Sequence, residues 1–120
     1  MAKFLVHVTT GPEDATKAAL AFLVASTAQK EGHTVQVFIA GDGVSLLKPE
    51  VVDNLEGKGT GRLKEHLGSL RADGARLYVS GMSAKARGLD ETLLQGLSAE
   101  FAMPAVLVRL AAEADVVLSY

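Results

Sequence analysis

The fold follows from residues 4–40, which read FLVHVTTGPEDATKAALAFLVASTAQKEGHTVQVFIA. Phe4–Val8 and Val35–Ala40 are short apolar runs rich in β-branched residues, a pattern typical of strands buried on both faces. Between them, residues 12–31 repeat small and apolar side chains at helical spacing, begin with a proline and end just before a glycine. A helix between two buried strands predicts a β-α-β unit with a parallel sheet.

Two further apolar runs, Ala75–Val79 and Asp115–Leu118, extend the predicted sheet to four strands. Residues 62–72 carry leucines at helical spacing, which indicates a second crossover helix, right-handed by the usual chirality. We therefore expect a single three-layer α/β/α domain over residues 1–120, with a parallel sheet of four to five strands.

The segments outside these strands give weaker signals. Asp90 is a candidate helix N-cap, and the apolar residues after it predict a helix with one apolar stripe along its surface. The stripe consists of Leu93, Leu94, Leu97 and Phe101. Residues 104–113 begin with a proline and predict one more helix. Residues 48–61 are largely polar and glycine-rich, and we expect them to be the least ordered part of the chain.

Composition excludes several function classes. The 120 residues carry a net charge of −2 and only 5% aromatic residues, so there is no basic stripe for phosphate backbones and little surface for base stacking. We expect no nucleic-acid partner. The chain has no cysteine, which excludes disulfides, thiolate metal sites and thiol nucleophiles on its own residues.

Hydropathy bears on location and assembly. No run of about 18 apolar residues is present, and the first apolar run is too short for a signal peptide. We expect a soluble cytoplasmic protein with no membrane partner. Hydrophobic residues make up 48% of the chain, a large share for a domain this small, and burial between subunits would account for it. The composition therefore predicts a homo-oligomer.

Three polar loops follow the predicted strands at the carboxyl edge of the sheet, where open parallel sheets bind ligands. They contain hydroxyls, a carboxylate, two cations and glycines that suit a pocket. The candidate ligand-binding residues are Thr10, Gly11, Asp42, Gly43, Ser80, Ser83, Lys85 and Arg87. An anionic or sulfur-containing small ligand fits this set. The alternative is that these are turn and cap residues with solvated or subunit-paired cations.

Familiar phosphate-binding motifs are absent. Residues 57–61 read GKGTG, but no glycine stands five residues before the Gly-Lys pair and no strand leads into it. Gly41-Asp42-Gly43 lacks the later glycine of a dinucleotide fingerprint, because Leu46 occupies that position. We expect no bound cofactor.

Nucleophilic serine and metal chemistry also lack support. No serine lies in a Gly-x-Ser-x-Gly elbow, and none has a lysine three residues later. The three histidines are not spaced as metal ligands, so no metal site is expected. We interpret His7 as a hydrogen-bonded core or interface residue, and His33 and His66 as surface residues.

The segment Gly74–Gly88, GARLYVSGMSAKARG, closely resembles the third-strand segment of the DsrE/DsrF-like sulfur-relay proteins. Phe4–Pro12, the Ala-rich first helix, Ala40–Val44 and Glu113–Leu118 are similar to the same family. The resemblance thus extends over nearly the whole chain. It implies a small α/β/α protein that assembles into a trimer or hexamer.

Some members of that family carry sulfur as a persulfide on a cysteine eight residues before the glycine of an Arg-Gly pair. Here the pair is Arg87-Gly88, and Ser80 takes the cysteine position. The resemblance thus implies a non-catalytic binding or assembly subunit, able to hold a small anionic ligand or a cysteine-bearing sulfur-relay partner. The alternative is an enzyme acting on a small anionic or sulfur-containing substrate through Ser80, Ser83, Lys85 and Asp42.

Overall fold

Five parallel strands form the central sheet of the computed structural model, which describes residues 1–120. The chain has seven strands in all, two of which lie outside this sheet. In chain order they are β1 (Lys3–Val8), β2 (Thr34–Ile39), β3 (Glu56–Gly57), β4 (Gly61–Arg62), β5 (Arg76–Ser80), β6 (Ala99–Ala102) and β7 (Val116–Ser119). The helices are α1 (Ala15–Lys30), α2 (Pro49–Asn54), α3 (Leu63–Ala72), α4 (Gly81–Ala86) and α5 (Pro104–Glu113). Three 3-10 turns span Pro12–Asp14, Gly41–Leu47 and Glu91–Leu94.

The sheet order is β6-β5-β2-β1-β7, and β3 and β4 form a separate antiparallel hairpin. Helices α1 and α3 supply Phe22, Leu63 and Leu67 to a core of 22 buried residues. On the opposite face, Leu110 of α5 packs with Phe38 in a smaller cluster. The predicted parallel sheet between helical layers is confirmed.

The first helix is confirmed, and its packing follows from its composition. The Asp14 side chain accepts a hydrogen bond from the Lys17 N–H at 3.1 Å, and the helix ends before Gly32, whose φ is +94°. Its small residues let it approach the sheet and α3 closely; those that are buried are Ala18, Ala19, Ala21, Ala25, Ser26 and Ala28. None of the helices is both long enough and apolar enough to cross a membrane.

The helix predicted after Asp90 is wrong. Asp90 does act as a cap, accepting from the Thr92 N–H at 3.0 Å, and hydrogen bonds from the Thr92 side chain and backbone lower the pKa of its carboxyl. It caps only the short turn Glu91–Leu94. Gln95 is already extended, Gly96 adopts a left-handed φ of +76°, and the chain continues into β6. The fifth strand of the sheet therefore lies inside the segment that was expected to be helical. Within it, Phe101 pairs with Val79 of β5.

Residues 48–61 contain more regular structure than expected. They form α2 and most of the β3–β4 hairpin. The hairpin is fastened to the start of α1, because the Thr60 hydroxyl donates to the Thr16 carbonyl at 2.9 Å and the Lys58 N–H donates to Thr16 Oγ1 at 3.0 Å. His66 Nε2 lies 2.7 Å from the Thr60 carbonyl oxygen.

The three histidines differ from their predicted roles. His33 and His66 are half-buried rather than surface residues, and His33 Nδ1 accepts from the Ala2 N–H at 2.9 Å. His7 is half-buried on β1, with its ring edge toward Phe38 at a centroid distance of 6.0 Å. Its Nε2 is buried and has no hydrogen-bond partner within the chain, so a hydrogen bond to another core residue is not formed at that atom. Burial lowers the pKa of His7 from its ordinary value of 6.5.

This lowered pKa predicts that acid destabilises the fold. The unfolded chain binds a proton at His7 more readily than the folded chain does, so stability is complete above pH 6.5 and is lost as the pH falls toward the lower folded-state pKa. Urea unfolding between about pH 8 and about pH 5 should show this loss in the unaltered chain. In His7→Leu the loss should be smaller; an unchanged pH profile in that variant would contradict the assignment.

Candidate functional site

Ser80 ends β5 and starts α4, so the predicted Ser80–Gly88 loop is mostly a short helix. Ser80 is only 8% exposed, and its Oγ accepts a hydrogen bond from the Ser83 N–H at 3.1 Å. Serine is a favoured N-cap because its oxygen satisfies one of the free N–H groups of the first helical turn. Ser80 therefore holds the start of α4 in place.

Two hydrogen bonds fasten α4 to the loop after β2, and a third, from Arg87 back to α4, holds the Arg87 side chain in place. Ser83 Oγ accepts from the Gly41 N–H at 2.9 Å. The Arg87 guanidinium donates to the Ser83 carbonyl at 3.0 Å and to Asp42 Oδ1 at 2.7 Å. Gly41 adopts a φ of +56°, a left-handed conformation that glycine tolerates best. The loop and the helix thus form one connected unit.

Of the two cations on this unit, Arg87 forms an ion pair and Lys85 does not. Arg87 is paired with Asp42, whose side chain is 65% exposed, and a pair this open to solvent contributes at most about 1 kcal/mol. Lys85 is exposed and forms no ion pair; the three ion pairs of the chain are Lys64–Asp53, Arg76–Glu100 and Arg87–Asp42. Lys85 is consequently the candidate cation whose charge is available to an anion.

Two glycines allow the loops after β1 and β2 to meet. A Cβ placed on Gly11 would lie 2.5 Å from the Asp42 carbonyl oxygen, and one on Gly43 would lie 2.7 Å from the Val8 carbonyl oxygen. Both positions therefore exclude a larger residue without backbone movement. Thr10 is half-buried beside Gly11 but takes no part in the hydrogen bonds that join the loops.

The structure thus brings most of the candidate residues together, with Thr10 and Lys85 outside the hydrogen-bonded unit. Neither serine hydroxyl contacts a base. Ser80 Oγ and Ser83 Oγ both accept from backbone N–H groups, and neither is hydrogen-bonded to Asp42, His7 or Lys85. The nucleophile-to-base contact that defines an activated serine is therefore not formed.

An apolar groove beside the site was missed by the sequence reasoning. It has a volume of about 310 Å³ and is lined by Gly81, Phe101, Ala102, Met103 and Val106. The groove exists because β6 lies next to β5 and α5 follows it. A four-residue strand signal before Pro104 could have revealed it, but the helical spacing of the preceding leucines masked that signal.

The fold is similar to solved structures from a bacterium and an archaeon. The ychN protein from E. coli matches with a TM-score of 0.78 and 17% identity, and all of each chain is covered. A protein of unknown function from Methanobacterium thermoautotrophicum matches with a TM-score of 0.70 and 16% identity, again over all of both chains. At these identities the likeness shows a shared fold.

Sequence comparison gives a closer assignment. An uncharacterized protein from Methanocaldococcus jannaschii is 30% identical over 92 residues, which is 77% of this chain and 33% of that protein. The chain therefore spans about a third of that relative's length. A sequence model of the DsrE/DsrF-like family matches residues 2–120. This match covers nearly every residue and confirms the resemblance, so the chain belongs to the DsrE/DsrF-like family.

Proposed function

We propose that this protein is a non-catalytic binding or assembly subunit of a cytoplasmic sulfur relay, working as a homo-oligomer, either a trimer or a hexamer. Family membership supports a sulfur-relay-related protein. The observation that carries the non-catalytic role is the hydrogen bond from the Ser83 N–H to Ser80 Oγ. The residue in the position of the sulfur-carrying cysteine supports a helix instead.

Chemistry supports the same role. A persulfide forms on a thiolate sulfur, and a serine hydroxyl is far too weak an acid to act in its place. The chain has no cysteine at any other position. Sulfur that passes through this assembly would therefore be carried by a cysteine of a partner, and this chain would position that partner or a small anionic ligand beside Ser80.

The enzyme alternative has less support. Serine catalysis needs a base within hydrogen-bond reach of the hydroxyl, and Asp42 is instead paired with Arg87. Lys85 is hydrogen-bonded to neither serine, and its exposed charge has no ion-pair partner in the chain. The binding role requires no change in the observed hydrogen bonds of Ser80, Ser83 and Asp42.

Exposed apolar side chains support assembly. Apart from Met1 and the groove residue Met103, the large ones are Met82, Val108 and Val117, which are 58%, 68% and 47% exposed. They lie on α4, α5 and the edge strand β7. Contact between subunits would remove this apolar surface from water.

Native mass spectrometry of the protein purified gently from its own cell extract tests the proposal. We expect the mass of a trimer or hexamer that retains a small anion or a cysteine-bearing protein. Lys85→Ala should release the anion, whereas Lys30→Ala, which changes an equally exposed lysine at the far end of α1, should not. A monomer with neither companion that turns over a substrate would contradict the proposal.

A further inference from the structure

The apolar groove next to Ser80 carries a further inference about the partner. Its walls come from α4 on one side and from β6 and the start of α5 on the other. Phe101 and Val106 are half-buried there, and Met103 is 56% exposed. The groove therefore presents apolar surface to solvent in a volume suited to one large side chain.

Each helix that borders the groove carries a cation one turn farther along. Lys85 follows the groove residue Gly81 by four positions on α4, and Arg109 follows Val106 by three positions on α5. Side chains at these spacings lie on the same face of a helix. Both cations are exposed, and neither belongs to an ion pair.

The acidic side chains near the groove do not neutralise these cations. Glu100 of β6 is bound to Arg76, with an N–O distance of 2.6 Å. Glu113 lies one turn beyond Arg109, farther from the groove, and forms no ion pair with it. The first turn of α5 contains no acidic residue, so the positive end of that helix also remains uncompensated. The positions one turn beyond the groove on both helices therefore carry positive charge that no ion pair compensates.

We propose that this groove binds a peptide segment of a partner protein in which a large apolar side chain is flanked by acidic residues. The apolar side chain fills the space between Gly81, Phe101 and Val106. Carboxylates on either side of it meet Lys85 and Arg109. This inference rests on the proposed docking role, and it names the chemistry of the partner that the role requires.

Fluorescence anisotropy with a fluorescein-labelled peptide, GDELFEDG, tests the inference on the full chain at low salt. We expect saturable binding that weakens as salt rises. The double variant Lys85→Glu with Arg109→Glu should weaken it about tenfold, since two exposed attractions become repulsions. Met103→Ser should weaken it about threefold to tenfold by removing apolar contact, while leaving an acceptable N-cap for α5.

Matched controls separate this binding from general charge attraction. Lys30→Glu with Arg71→Glu makes the same change in net charge at exposed sites on α1 and α3, and should leave the affinity unchanged. The peptide GDESSEDG, which lacks the apolar pair, should bind at least about tenfold more weakly. Equal weakening by the control double variant, or equal binding of the serine peptide, would overturn the inference.

Two further results would also overturn it. One is no binding of GDELFEDG to the unaltered chain. The other is a decrease in oligomer mass on Met103→Ser, because the groove would then hold a second copy of this chain. In either case the docking role still stands if native mass spectrometry finds a retained partner, so the two failures are distinguishable.

Discussion

Ser80→Cys is expected to take up one sulfur atom from a persulfide donor, whereas the unaltered chain takes up none. The new sulfur would occupy the N-cap position of α4, where the Ser83 N–H now donates to Ser80 Oγ. A hydrogen bond from that N–H would favour the thiolate, which is the form of cysteine that accepts sulfane sulfur. The change in intact mass measures this uptake directly.

The control for this experiment is Ser98→Cys, which places a thiol at an exposed position before β6. A thiol there has no cap interaction, so it should lose its added sulfur more readily once the donor is removed. Retention by both cysteines would indicate ordinary thiol reactivity. No mass gain in Ser80→Cys, in a sample whose new thiol still reacts with an alkylating reagent, would show that the pocket no longer supports a persulfide.

Gly43→Ala is expected to destabilise the fold by about 1–3 kcal/mol, because the new methyl group would lie against the backbone. The predicted Cβ is 2.7 Å from the Val8 carbonyl oxygen, and that oxygen cannot rotate away as a side chain could. The φ of Gly43 is not in the left-handed region, so the effect isolates crowding from backbone strain. Thermal unfolding measures it, at about 3–5 °C for each kcal/mol.

Gly68→Ala provides the opposite control. Gly68 lies inside α3, and a Cβ there would have no heavy atom within 4 Å. Alanine should stabilise the helix by up to about 1 kcal/mol, because glycine loses more backbone freedom on folding. Similar melting temperatures for Gly43→Ala and the unaltered chain would mean that the loops after β1 and β2 separate readily.

Local patterns suffice for the first half of the sheet. The β-branched runs and the helical spacing between them predict β1, α1 and β2 to within a few residues of their observed bounds. β6 differs, since leucines spaced for a helix lead into it and only its pairing with β5 decides the outcome. That pairing is a contact between distant segments, and the left-handed Gly96 makes it possible.

The candidate site was likewise predictable only in part. Residue types and the carboxyl-edge rule place Ser80 and Asp42 in neighbouring loops. The hydrogen bonds that Ser83 and Arg87 make depend on how the loop after β2 meets α4, which no short-range pattern encodes. The apolar groove was hidden for a related reason, because its floor belongs to the strand that was expected to be a helix.

The serine cap of α4 also sets how the protein responds to oxidants. A thiol at this position would be converted to sulfenic and then sulfinic acid, and its geometry would change at each step. The Ser80 hydroxyl resists these reactions, so the hydrogen bond to the Ser83 N–H persists under oxidising conditions. The exposed thioethers of Met82 and Met103 do not resist them. Oxidation would therefore change the apolar groove, through Met103, while the Ser80 cap of α4 stays intact.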